Sequence, residues 1–200
     1  MSVSVPGSGA DARGCAVLVK HAFPVLDPSR PPLEWRLGPE GEAQAGRLAA
    51  ALERFAPFRL IASTEPKAVR TAEIVAGIHG LPMATVVGLR EIDRPRLPIM
   101  SRQAHAELNR GLFTRFESPV VGNESAREAR DRFTAAVAEQ LRAGSAENLV
   151  VVAHGTVIAL LVAAYNPVDA FDLWTRLQCP SFVVLDRGTL ALVETVEKVA

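Results

Sequence analysis

The chain has 200 residues, enough to bury a core without disulfide staples, and at roughly 150 residues per domain it is expected to form one domain. Lysine plus arginine number 22 and aspartate plus glutamate number 22, so no global basic excess exists to track a nucleic acid backbone. Charged residues are 22% and hydrophobic residues 48%, which excludes a disordered chain.

The first 14 residues hold Gly, Ser and Pro without a long apolar run, and are expected to be a flexible tail rather than a signal peptide. Residues 15–19 are apolar and read as a buried strand. Pro24, Pro28, Pro31 and Pro32 then impose loops and turns over 22–38. Residues 40–55 are rich in Ala and Leu, with Leu48, Leu52 and Phe55 on one helical face. A second strand is expected over 59–62. Pro66 follows near a helix start, with Ser63 or Thr64 as the expected cap. That helix runs to about His79, where Gly80 can supply a left-handed stop. A third strand is expected over 84–87.

Residues 90–121 carry Pro95, Pro98, Pro119 and several arginines, and read as an insertion over the sheet with one helix near 103–113. Ser125 and Glu128 form a capping-box pattern, and Ala129, Phe133, Ala136, Val137 and Leu141 mark the buried face of the helix they open. Residues 149–153 are apolar throughout and so expected to be central. A buried helix over 156–165 and a short one over 170–177 follow. Strands over 182–185 and 190–193 flank Asp186-Arg187-Gly188, a hairpin signal. Strands alternating with helices indicate an α/β fold with a largely parallel sheet, and the last hairpin suggests an antiparallel edge. The most apolar run, 157–165, is about half of what a bilayer needs, so no membrane partner is expected. Two cysteines, Cys15 and Cys179, are too few for a disulfide framework, and the expected location is cytoplasmic.

Polar residues follow the strands. The first strand runs into Lys20 and His21, the second into Ser63 and Lys67, the third into Glu91, and the central one into His154 and Gly155. In open α/β sheets ligands bind beyond the carboxyl ends of the strands, and parallel strands put these four ends on one edge. Two imidazoles, two ammonium groups and a carboxylate there suit phosphoryl transfer. A neutral imidazole is a competent nucleophile, lysines neutralise phosphoryl charge, and a carboxyl group protonates the leaving oxygen. Helix N-termini near Pro66 and Thr156 can offer N–H groups to phosphate oxygens. There is no Gly-x-Ser-x-Gly elbow, Walker loop or Cys-x-x-Cys pair, and neither histidine has a partner at metal-ligand spacing.

At these residues the chain resembles the histidine phosphatase superfamily, the phosphoglycerate mutase-like group, from about Val17 to Val193. Val17-Leu18-Val19-Lys20-His21-Ala22 stands where the family has a strand and Arg-His-Gly. The stretch 35–45 is similar to its Leu-Thr-x-x-Gly-x-x-Gln-Ala helix start. Ser63-Thr64-Glu65-Pro66-Lys67-Ala68-Val69-Arg70-Thr71-Ala72 resembles its Ser-x-x-x-Arg-Ala-x-x-Thr-Ala motif. Leu89-Arg90-Glu91, Gly122-Asn123-Glu124-Ser125 and Val151-Val152-Ala153-His154-Gly155 resemble its acid, helix-start and second-histidine motifs.

The resemblance implies a three-layer sandwich with a mostly parallel central sheet, and a metal-independent phosphatase without a cofactor. It implies His21 as the nucleophile that becomes phosphohistidine, His154 as a stabiliser of the phosphoryl group and Glu91 as acid and base, with Asp93 the rival. Lys20 and Lys67 stand where the family clamps phosphate with arginines, and Ser63 and Thr156 are further phosphate-binding candidates. The substrate is expected to be a small phosphorylated molecule. Lysine keeps the charge but loses the bidentate fork, so the alternative is a non-catalytic relative that holds a phosphorylated ligand or protein partner. The absence of Trp-Glu-Gly after Glu91 favours phosphatase over mutase. His79 is expected to be a helix-end residue, His105 structural or solvated, and Glu124 and Ser125 capping residues. Arg94, Arg96 and Arg102 read as a solvated face or as holders of an anionic substrate.

Overall fold

A computed structural model describes residues 14–94, 100–120, 122–144 and 147–200. The expected tail over residues 1–13 lies outside these, as do Pro95, Arg96, Pro98 and the side chain of Arg102. In chain order the elements are β1 (Cys15–Lys20), α1 (Pro39–Leu52), β2 (Phe58–Ser63), α2 (Pro66–His79), β3 (Met83–Val86), α3 (Arg102–Thr114), α4 (Ala126–Ala143), β4 (Asn148–Ala153), α5 (Gly155–Tyr165), α6 (Ala170–Arg176), β5 (Ser181–Asp186) and β6 (Leu192–Val196). Short 3-10 turns occupy Pro32–Glu34, Glu53–Phe55 and Val87–Leu89.

The six strands form one sheet in the order β3-β2-β4-β1-β5-β6. β3, β2, β4 and β1 run parallel, and β5 pairs antiparallel with both β1 and β6. The fold is therefore α/β with a mixed, mostly parallel sheet. Alternation explains why β1 and β4 read as continuous apolar runs. Ala16, Leu18, Leu149 and Val151 join one buried cluster, with α4 and α5. Val17, Val19, Val150 and Val152 join another, with α1 and α2. Both faces of these central strands are covered, so residues 16–19 and 149–152 admit no polar side chain.

Local chemistry sets the helix ends. Pro66 sits at the first helical positions of α2, and Gly80 ends it at φ 63°. The residue before α2 is Glu65, whose side chain makes no capping bond, so the expected Ser63 or Thr64 cap is corrected. The Ser63 hydroxyl faces a histidine instead. Ser125 and Glu128 make the expected capping box on α4. The last hairpin is displaced from its expected register. The ladder shifts between Val184 and Leu185, and β6 starts two residues later than the apolar pattern suggests. Asp186 gathers the amides of Gly188 and Thr189, and Leu190 takes φ 58°, so the turn extends through residue 190.

Phe133 is fully buried where α4 meets the sheet. Phe133→Ala should lower unfolding free energy by about 3–5 kcal/mol in urea denaturation, and a loss below about 1 kcal/mol would show that this face is not a packed core.

Candidate active site

The carboxyl ends of the parallel strands meet a cavity of about 490 Å³. Its lining includes Lys20, His21, Lys67, Glu91, His154 and Thr156. Ser63, expected as a phosphate ligand, lies outside the lining, one hydrogen bond behind His154.

His21 continues the β1 ladder by donating its amide to the Ala153 carbonyl at 3.1 Å. The amide of the next residue, Ala22, donates to Thr71 Oγ1. The chain therefore leaves the sheet between β4 and α2. His21 Nδ1 is 2.8 Å from the Ala22 carbonyl oxygen. A carbonyl only accepts, so Nδ1 carries the hydrogen and Nε2 presents its lone pair. Burial holds the His21 pKa well below its usual value, with His154, Lys67 and Lys20 acting in the same direction and the Ala22 carbonyl opposing. The ring is neutral at neutral pH.

The His154 ring stands edge-on to His21, with centroids 5.2 Å apart and planes at 64°. Its Nε2 shares a 2.8 Å hydrogen bond with Ser63 Oγ and lies 3.4 Å from Glu65 Oε1. Its Nδ1 has no partner among the described residues. Burial first, then the charge of Lys67, lowers its pKa well below the usual imidazole value.

The two lysines are seated in shaped slots. Lys20 Nζ donates to the Leu177 carbonyl at 2.6 Å, and its stem crosses Gly155. A Cβ on Gly155 would lie 3.2–3.3 Å from the end of that side chain. Lys67 Nζ donates to the Pro32 carbonyl at 2.7 Å and to Glu65 Oε2 at 2.5 Å. An ammonium has three N–H groups, so among the described residues' contacts Lys20 keeps two and Lys67 one for a ligand.

Glu91 accepts the Ile92 amide at 2.8 Å on one oxygen and the Thr156 amide at 3.1 Å on the other. The N-terminal amide of α5 expected to face phosphate thus serves the carboxylate. The Thr156 hydroxyl accepts from Arg94 Nη2 at 2.7 Å, and the same nitrogen donates to Asn109 Oδ1. Asp93, the rival acid, has its carboxylate turned to the amide of Asn123, and it is absent from this cavity's lining.

Two participants, Glu65 and Arg132, escaped the sequence reading. Glu65 is buried and joins Lys67, the Glu91 amide and the neighbourhood of His154. Its only local signal is a carboxylate two residues before Lys67. Arg132, on α4, donates to the carbonyls of Gly88, Arg90 and Glu91 and forms a two-point pair with Glu124. Glu124 also accepts the Asp93 amide, so it braces the acid-bearing loop rather than capping α4. Arg94 belongs to the cavity wall rather than to a solvated face. His105 lines the cavity too, with its ring 5.5 Å from that of Trp174. His79 is a helix-end residue, bonded to the Ala49 carbonyl and packed on Phe58.

Among the described residues no helix is long and apolar enough to cross a membrane, and no group of three or more His, Cys, Asp or Glu is placed to hold a metal ion. No curated protein sequence matches the chain significantly. Solved structures of similar fold include mycobacterial glucosyl-3-phosphoglycerate phosphatase, at TM-score 0.74 and 20% identity over 94% of this chain and 99% of that one. Bacillus stearothermophilus YhfR aligns at TM-score 0.70 and 23% identity over 92% and 96%. A putative alpha-ribazole-5'-P phosphatase from Escherichia coli aligns at 0.69 and 18% over 94% and 98%. The family model described as histidine phosphatase superfamily (branch 1) matches residues 29–190, and by that match the chain belongs to this superfamily.

Proposed function

We propose that the protein is a metal-independent phosphatase that hydrolyses a small phosphorylated substrate through a phosphohistidine on His21. The observation that carries this reading is the Nδ1–H bond of His21 to the Ala22 carbonyl, which leaves an unprotonated Nε2 in a cationic cavity. Nε2 attacks phosphorus and the bond to the leaving oxygen breaks. Glu91 in its acid form transfers a proton to that oxygen, and the alcohol departs. Water then attacks the phosphohistidine, Glu91 takes a proton from it, and the P–N bond breaks to release inorganic phosphate. Lys20, Lys67 and His154 face the equatorial oxygens, where charge is spread in the transition state. With Ser63 donating into His154 Nε2, the unpartnered Nδ1 bears a hydrogen for one of them.

The second reading, a phosphate-holding relative without turnover, is favoured by one contact: Glu65 already neutralises Lys67. The shaped slots of both lysines favour a site built around ammonium groups.

His21→Ala should abolish both turnover and acid-labile labelling by a phosphorylated substrate. His154→Ala should retain labelling at a rate lower by about 10²–10³-fold. Label that persists in His21→Ala would move the nucleophile elsewhere.

The lysines supply a separate measurement. Lys20→Ala and Lys67→Ala should each weaken vanadate binding by about 1.5–3 kcal/mol, the scale of a charged hydrogen bond. Lys→Arg at either site should reduce turnover or leave it flat, because a guanidinium needs the space held by Gly155 or Glu65. Arginine variants that raise turnover from a near-zero base would establish the second reading. A double alanine variant with unchanged vanadate affinity would remove both lysines from the phosphate site.

Both imidazoles titrate lower in the folded chain than the unfolded value of about 6.5. Below that value the unfolded chain binds protons that the folded chain does not, so stability falls with falling pH. The denaturation midpoint should drop between about pH 7.5 and about pH 5.5, and drop less in His154→Gln. A midpoint that rises on acidification would mean that the imidazoles are charged in the native site.

A further inference from the structure

Resting on the phosphatase reading, we infer that the substrate is a monophosphate ester whose alcohol portion is uncharged and carries a flat aromatic ring. Charge sets the first limit. Among the described residues lining the cavity, the lysines and arginines are Lys20, Lys67 and Arg94. Glu91 lines it as well, and Glu65 is paired with Lys67. With Glu65 ionised against Lys67 and Glu91 in the acid form that the first step uses, three cations and one carboxylate leave a net charge of plus two, with the imidazoles neutral. A phosphomonoester brings about −1.5 to −2 at neutral pH and by itself uses up that charge. A carboxylate or second phosphate on the leaving alcohol would find no further cation among the described lining residues.

The rest of the wall has the opposite character. Phe23, Pro24, Leu26, Trp35, Met100 and Trp174 also line the cavity. Trp35 Nε1 donates to the Asp27 carbonyl at 2.9 Å, so the indole turns its one donor to its own loop and offers the cavity carbon surface. That loop is fixed by the Val25 to Arg36 backbone bond and a bridge between Pro24 and Leu37. The Trp174 ring is likewise fixed, stacked on Phe171 with centroids 5.7 Å apart. Phe23 keeps 50% and Leu26 43% of its surface exposed, although both line the cavity. Apolar surface gathered at the mouth of a polar site is surface that an apolar ligand group would cover. Fixed aromatic side chains favour a planar ring over a flexible or hydroxyl-rich chain, because stacking adds to burial.

The test compares esters that share a primary alcohol leaving group, so that chemistry at phosphorus is matched. Naphthylmethyl phosphate, glycerol 3-phosphate and 3-phosphoglycerate are assayed by phosphate release. The KM for naphthylmethyl phosphate should be lower than that for glycerol 3-phosphate by about tenfold or more, the worth of burying one ring, and 3-phosphoglycerate should be the poorest. Trp35→Ala should erase most of the naphthylmethyl preference, and Trp35→Phe should keep it, which separates the lost ring from a misfolded loop. Turnover of 3-phosphoglycerate at or above that of naphthylmethyl phosphate would overturn the inference, as would a Trp35→Ala loss equal for all three esters. If none of the three is hydrolysed, the phosphatase reading fails. Calorimetric affinities of the same esters then decide the pocket's preference on their own, and equal or stronger binding of 3-phosphoglycerate overturns it.

Discussion

The buried carboxylate of Glu65 is the contact on which the site depends. It holds the Lys67 ammonium, receives the Glu91 amide and lies beside His154. Groups from β2's exit, α2, the loop after β3 and the end of β4 are thereby coupled. Its pairing with Lys67 is among the least exposed ionic contacts in the protein, with side-chain exposures of 6% and 8%. Removing a partner from such a pair strands the other charge in a dry site. Fixing Lys67 in this way also restricts what the lysine can do. One of its hydrogens faces Glu65 and another the Pro32 carbonyl, so a phosphate must be met by the remaining one or displace a contact. An arginine would bring a wider fork and more donors, and the Glu65–Lys67 arrangement has no need of them.

The second level of organisation lies behind Glu91. Backbone amides hold its two oxygens, and Arg132 ties the carbonyls around it to α4. Gly88 lets the 3-10 turn press on that helix, since a Cβ there would fall 2.7 Å from the Ala136 methyl. Rigid support of this kind places a proton donor without relying on a mobile loop.

Much of the scaffold was legible because its causes are local. Alternating burial made β1 and β4 readable, Pro66 and Gly80 bounded α2, and Ser125 with Glu128 opened α4. The strand ends named Lys20, His21, Lys67, Glu91 and His154 because a parallel sheet carries them to one edge. Glu65 and Arg132 were not legible because their partners are distant in sequence: Glu65 meets His154, and Arg132 reaches back to Gly88. On the page Arg132 is a helix-surface cation, and Glu124 stands one residue before a cap. His105 reaches the cavity wall through tertiary packing alone, since only the docking of α3 against α6 brings it to Trp174. The β6 register was lost to a bulge, which no alternation of apolar residues announces.

The joint between Asp93 and Gly122 has an evolutionary meaning. The Asp93 amide binds Glu124, its carboxylate receives the Asn123 amide, and Gly122 at φ 75° passes so close to the Asp93 carbonyl that a Cβ would lie 2.3 Å from it. The chain is pinched shut at both feet of the intervening segment. Whatever lies between those feet can be lengthened, shortened or exchanged while the acid stays anchored beneath it. Beyond Arg94, which the cavity keeps for Thr156, recognition surface can change in this segment while Glu91 retains its backbone amide contacts.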